Sequence, residues 1–164
     1  MNYYTKQTSI GSITIAEDRG FITSLSFGKK IFKGKWDKCF WSDVLNDAFN
    51  ELDEYLNGKR KDFNLPLNPK GTPFQQKVWS CLYNIPYGET RSYKDIAELI
   101  GNENSSRAVG MANNKNPIPI FIPCHRVIGA DGTLTGYAGG LDIKQKLLNN
   151  EKLYNQSTRP IGDV

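Results

Sequence analysis

Histidine is almost absent from this chain, and cysteine is scarce. The 164 residues hold one histidine, His125, and three cysteines, Cys39, Cys81 and Cys124, widely spaced and without a C-x-x-C pair. An odd, dispersed set of thiols suggests neither a disulfide framework nor a zinc cage, and with one imidazole a metal site would have to be built almost wholly from carboxylates. No metal and no cofactor is expected. The start, MNYYTKQTSIG, lacks a charged region followed by an apolar one, and no apolar run approaches the ~18 residues of a membrane span. These absences point to a reducing, intracellular compartment, the cytoplasm, or the nucleoid or nucleus, where a free thiol survives. Internal repeats and low-complexity segments are missing too. So is acid from one long stretch: between Ser105 and Ala130 the only charged residues are Arg107, Lys115 and Arg126.

What is present suffices for one good core or two small domains: 38% hydrophobic and 12% aromatic residues, with a net charge of +4. Mild basicity fits a nucleic-acid partner, and it is also common in proteins that never meet one. YYTKQTSIGSITIAEDRGFITSLSFG holds three β-branched or aromatic runs broken at Gly11 and at Asp18–Gly20, the pattern of an antiparallel meander. In SDVLNDAFNELDEYLNG, Ser42 caps a helix whose apolar residues are Leu45, Phe49, Leu52 and Leu56, and Gly58 stops it. The basic stretch 29–38 between them reads as a solvated loop. From Lys59 to Lys70 the chain is charged and then proline-bearing, the composition of a linker.

Beyond it, Thr72, Pro73 and Gln75 open a helix to about Tyr83 with a capping box and a proline in the first turn, and Phe74, Val78 and Leu82 share a face. Ser92 and Asp95 repeat the box for a second helix, with Ile96, Leu99 and Ile100 inward and Gly101 as stop. After a short turn Asn104 caps a third, SSRAVGMANN. Two short helices about a tight turn make a helix-turn-helix candidate. The third helix is nearly bare: Ser105, Ser106, Ala108, Gly110 and Ala112 are small, and its interior glycine costs about 1 kcal/mol of helix propensity. Tight helix packing explains that pattern, and so does a backbone pressed into a DNA minor groove about 6 Å wide, with Arg107 as the only long probe.

NPIPIFIPCHRVIG sets Cys124 beside His125 and Arg126. Adjacent cations depress a thiol pKa, and the thiolate is the nucleophile. In an extended segment neighbouring side chains point to opposite faces, so contact between Cys124 and His125 is expected through a water, with Glu151 on the last helix as the acceptor that orients the imidazole.

PCHRVIG at 123–129, with SYKDIA at 92–97, SRAVG at 106–110, NPIPI at 116–120 and GYAGG at 136–140, resembles the alkylguanine-DNA alkyltransferases in order and spacing from about Thr72 to Glu151. The resemblance implies an α/β protein of the α+β kind: a small antiparallel sheet with one helix over residues 1–66, then a mainly helical domain with a helix-turn-helix over residues 67–164. It implies a monomer that binds duplex DNA through the minor groove, swings an alkylated base out of the stack, and moves the alkyl group from O6 of guanine, and less well from O4 of thymine, onto its own thiol, once. Cys124 would accept the group, His125 backed by Glu151 would take the proton, and Asn116 would tie the helix-turn-helix to the Cys124 loop. Tyr93 would assist flipping and donate to the base, and Arg107 would fill the vacated stack. Ser105, Ser106, Ala108 and Gly110 would meet the groove. Tyr93, Pro119, Arg126, Val127, Tyr137, Ala138 and Gly139 would line the pocket. Ala138 stands where some members carry a serine that helps hold the base oxygen, and this chain lacks the cysteines and histidines with which some members bind zinc. Two other readings fit parts of the pattern. A transcription regulator or a non-catalytic lesion binder with the same helix-turn-helix needs no thiol, and a cysteine hydrolase needs a Cys-His pair at hydrogen-bond distance plus an oxyanion hole.

Overall fold

The computed structural model describes residues 1–32 and 41–157. β1 (Asn2–Thr8), β2 (Gly11–Asp18) and β3 (Phe21–Phe27) form the expected antiparallel meander in the order β1-β2-β3. Its pairing sets Ile13 opposite Phe27 and Ile15 opposite Leu25, which puts the alternate apolar residues of β2 on one face. Helix α1 (Asp43–Leu56) packs there. Ser42 Oγ accepts from Leu45 N at 3.3 Å, and Leu45, Phe49, Leu52, Tyr55 and Leu56 are buried. Past α1 the chain must turn back on itself, and Gly58 does so at φ +75° where the ring of Tyr154 leaves no room for a Cβ. The basic stretch read as a loop lies mostly in 33–40, outside the described residues.

The stretch with linker composition is an edge element in disguise. Ile22 N donates to Pro66 O and Asn68 N donates to Ile22 O, both at 2.8 Å, so residues 66–68 lie along β3. Phe63, Leu65 and Leu67 pack against the core while their neighbours face out. Asp62, Asn64, Pro66, Asn68 and Lys70 at the outward alternate positions look like a tether in composition, yet they are what an exposed sheet edge tolerates. Farther along β3, Leu25 N donates to Pro117 O at 2.9 Å. A single buried cluster therefore runs from Ile13 and Phe49 through Tyr55 to Phe121 and Val127.

Helices α2 (Pro73–Tyr83), α3 (Tyr93–Leu99) and α4 (Ser106–Asn114) form the three-helix unit. Both capping boxes are present, at Thr72/Gln75 and Ser92/Asp95. α4 differs from expectation at its start: Ser105, not Asn104, is the cap residue, and its hydroxyl turns back to Asn102 O at 2.6 Å. Leu99 is 64% exposed. A two-turn helix buries one narrow line, taken here by Ile96, Ala97 and Ile100, and Leu99 lies 100° around from Ile100. Short strands β4 (Arg91–Ser92) and β5 (Val127–Ile128) pair in parallel and join the start of α3 to the chain beyond Cys124. Helix α5 (Leu141–Ser157) closes the fold, and among the described residues no helix is long and apolar enough to cross a membrane.

Candidate functional site

The segment from Asn116 to Ile128 delivers the cysteine to its place. Asn116 Nδ2 donates to Ile122 O at 2.8 Å while its Oδ1 accepts from Ile118 N at 3.0 Å, so one buried amide cinches the loop. Inside it Ile120 sits at φ +73°, a costly conformation for a β-branched residue, held by burial on all sides. Pro123 then leads into a single 3₁₀ turn, Cys124–Arg126, closed by Arg126 N donating to Pro123 O at 3.0 Å.

That turn replaces the extended geometry expected there. Successive side chains of a 3₁₀ turn leave about 120° apart, so Cys124, His125 and Arg126 diverge to three sides. Cys124 faces a cleft lined by Asn113, Asn114, Asn116, Pro119, Gly136, Tyr137 and Ala138. The cleft holds about 10 Å³, room for one water. His125 is fully buried, and among the described residues no hydrogen bond joins its ring to the thiol.

Glu151 gathers the interior. Its Oε2 accepts from His125 Nε2 at 2.5 Å and from Tyr55 Oη at 2.5 Å. Arg126 donates from Nε to Oε1 at 2.7 Å and from Nη2 to Oε2 at 3.2 Å, and Gly88 N adds a bond to Oε1 at 3.1 Å. Burial alone would raise this carboxyl's pKa; His125 and Arg126 beside it outweigh that and bring it down to about 2. The His125 pKa is lowered by its own burial, against the pull of Glu151, so the ring is neutral near pH 7. Arg126 is the fixed cation that keeps Glu151 ionised whatever the state of the ring. With Nε2 bound to a carboxylate, the proton sits there, and Nδ1 is left as the basic nitrogen. Among the described residues Nδ1 has no hydrogen-bond partner.

Two expectations change here. The guanidinium of Arg126 turns away from the cleft, donating to Glu151 and to Ile85 O at 2.7 Å, so it is no part of the pocket lining. Nor does the acid-free stretch depress the thiol. Burial pushes the Cys124 pKa up to about 11, against smaller opposing effects of Asn116 and Lys144, and the resting group is a neutral thiol.

Of the other predicted pocket residues, Pro119, Tyr137 and Ala138 line the cleft. Gly139 lies behind it under the ring of Phe27, which a Cβ there would meet at 3.1 Å, and Val127 turns its carbonyl to Lys144. Tyr93 approaches from α3, its Oη 2.6 Å from Thr135 Oγ1. Arg107 and Ala108 are exposed on α4, Ser106 and Gly110 are half-buried, and Ser105 is buried. A Cβ on Gly110 would meet only the Tyr93 ring, at 3.7 Å, so packing does not demand this glycine. Arg107 is not the sole long side chain on that face: Met111, one turn on, is 65% exposed.

Sequence reasoning missed Tyr55, Asn113, Asn114 and Lys144. Lys144 is fully buried and donates to the carbonyls of Val127 at 2.7 Å and Thr135 at 2.8 Å, pinning the loop that walls the cleft.

The ribonuclease-like domain of 6-O-methylguanine DNA methyltransferase matches residues 1–69, and its DNA binding domain matches residues 73–153. The constitutive methylated-DNA–protein-cysteine methyltransferase of Bacillus subtilis is 48% identical, covering 93% of this chain and 97% of its own length. The corresponding protein of Methanosarcina barkeri is 49% identical over 93% of this chain and 98% of its own. This chain belongs to the 6-O-methylguanine DNA methyltransferase family. A crystal structure of Mycobacterium tuberculosis OGT in complex with DNA superposes with a TM-score of 0.86 at 43% identity, covering 94% of each chain. In this methyltransferase the site draws on both matched regions: Tyr55 comes from the first, and Cys124, His125, Arg126 and Glu151 come from the second. A hydrolase of Cys-His type is not what the geometry builds, because thiol and imidazole leave the turn on different sides.

Proposed function

We propose that this protein reverses alkylation damage directly, taking the alkyl group from O6 of guanine, and less readily from O4 of thymine, in duplex DNA onto Cys124 in a single-use reaction. Methyl transfer from DNA to a protein cysteine is the activity that goes with the family. One observation carries the assignment of residues: a neutral, buried thiol at the foot of a cleft, with a neutral imidazole behind it whose Nδ1 has no hydrogen-bond partner among the described residues. The Cys124 proton passes through a water to Nδ1, Sγ attacks the alkyl carbon, and the C–O6 bond breaks with its electron pair left on guanine. The base takes a proton and returns to its keto form, and the thioether cannot be undone by another thiol. Tyr93 leaves Thr135 to donate to the base and crowd its phosphate, α4 enters the minor groove, and Arg107 holds the vacated stack. Ala138 offers the base oxygen only a backbone N–H. Residues 1–66 and 67–164 are read as two domains sharing one core, the protein acts as a monomer, and its place is the cytoplasm or nucleoid.

The test is incubation with duplex DNA bearing labelled O6-methylguanine, followed by mass mapping. The label should reach one equivalent per chain and sit on the peptide containing Cys124. Cys124→Ala should abolish transfer and leave DNA affinity within about twofold, because the thiol touches neither phosphate nor groove. Label on Cys39 or Cys81, or sustained turnover, would overturn the assignment.

A further inference from the structure

Tyr55 stands outside the machinery just described, although it touches the centre of it. It belongs to α1, in the amino-terminal half, and is 2% exposed. Its Oη lies 2.5 Å from Glu151 Oε2 and 3.3 Å from His125 Nε2, so carboxylate, hydroxyl and imidazole meet in one buried triangle. Its ring is fixed edge-on against Tyr87 at 6.1 Å and tilted against Phe63 at 5.2 Å. Burial and Glu151 raise the Tyr55 pKa well above the usual phenol value, so the phenol keeps its proton and acts as a donor. A carboxylate that already accepts from Tyr55, Arg126 and Gly88 has little basicity left with which to draw the Nε2 proton off His125.

We propose that Tyr55 is a positioning residue for alkyl transfer: by sharing Glu151 Oε2 with His125 it holds the imidazole neutral, in the tautomer that presents Nδ1 toward Cys124. The inference rests on the function proposed above and supplies the role of the amino-terminal half in it. The groups that act on the His125 ring are Glu151 and Lys144 from α5, Arg126 from its own turn, and Tyr55 from α1; Tyr87 and Tyr137 face Glu151, Tyr55 or Cys124. Among the described residues Tyr55, Arg126 and the Gly88 backbone N–H compete with His125 for the carboxylate, and Tyr55 is the one whose donor can be deleted without removing a charge or moving the backbone.

Tyr55→Phe keeps the ring and deletes the donor. Glu151 then regains basicity and stabilises the imidazolium, so the His125 titration midpoint should rise by about 0.5–1 pH unit, and transfer on the acid limb should fall about 3–10-fold. DNA affinity should be unchanged. The chain has one histidine, so ring ¹⁵N labelling reports His125 alone, tautomer and titration together, without relying on activity. Phe63→Leu, which loosens the same aromatic cluster and touches no donor, should lower the melting temperature and leave the His125 titration in place. In the unaltered protein an exchange-protected tyrosine hydroxyl proton should show a cross-peak to the His125 Nε2 proton. The proposal is overturned if Tyr55→Phe leaves tautomer and midpoint unmoved, if Phe63→Leu shifts them equally, or if the cross-peak is missing. Label that fails to reach Cys124 would instead sink the alkyl-transfer reading, whatever the imidazole does.

Discussion

In the alkyl transfer proposed for Cys124, the fold opposes the charge that the reaction needs. Burial holds the thiol protonated up to about pH 11, so reactivity depends on handing the proton to a base rather than on a standing thiolate. This has a measurable sign. The unfolded chain loses this proton near the ordinary thiol value of 9.0 and the folded chain keeps it until about 11, so the stability held below pH 9 is lost as pH rises through that window. The loss attributable to this group is on the order of 3 kcal/mol. Subtracting the stability curve of Cys124→Ser, which does not titrate, from that of the unaltered protein should isolate it; parallel curves between pH 9 and 11 would mean that the folded thiol is already ionised. Cys124, His125 and Glu151 were legible from residue types and spacing. Tyr55 was not, because a tyrosine at a helical apolar position reads as core, and its bond to Glu151 joins residues 96 apart. Lys144 was hidden for the opposite reason, since a lysine on a terminal helix reads as solvated, and two backbone carbonyls leave no mark in sequence.

Element by element, what local chemistry decides was readable and what packing decides was not. The caps at Ser42, Thr72 and Ser92 need only neighbours within three residues, and all three formed. The 3₁₀ turn at Cys124 and the outward Leu99 follow from what surrounds them. On α4 the exposed face carries Arg107 and Met111 one turn apart, of which only Arg107 combines reach with planar stacking. Arg107→Ala should therefore slow single-turnover transfer from duplex DNA by an order of magnitude or more, since a few kcal/mol of unstacking must be offset there. Reaction with free O6-methylguanine, which has nothing to unstack, should be spared. Equal loss on both substrates would make Arg107 a support of the fold. A loss confined to affinity, with the salt slope lowered by about one, would make it a phosphate contact.

As a whole, the molecule has two matched regions and one core. β3 is bordered by residues 66–68 and by Pro117, and the Phe63 ring lies 4.8 Å from that of Phe121, so each half buries part of its apolar surface against the other. Unfolding should then be a single transition. Single-tryptophan variants retaining either Trp41 or Trp79, one in each half, should melt in denaturant at one midpoint and with one slope. Separate midpoints would show halves that fold independently. The linker-like composition of 59–70 concealed this, because prolines and lysines that suit a sheet edge also suit a tether. The Glu151 cluster acquires a further meaning when placed in time. Synthesis runs from the amino terminus, so Tyr55, Gly88, Cys124 and His125 all exist before Glu151 does. Until α5 is made and docked, the nascent chain holds Cys124 without an oriented base, and under the single-use transfer proposed above this would delay reaction until the fold is complete.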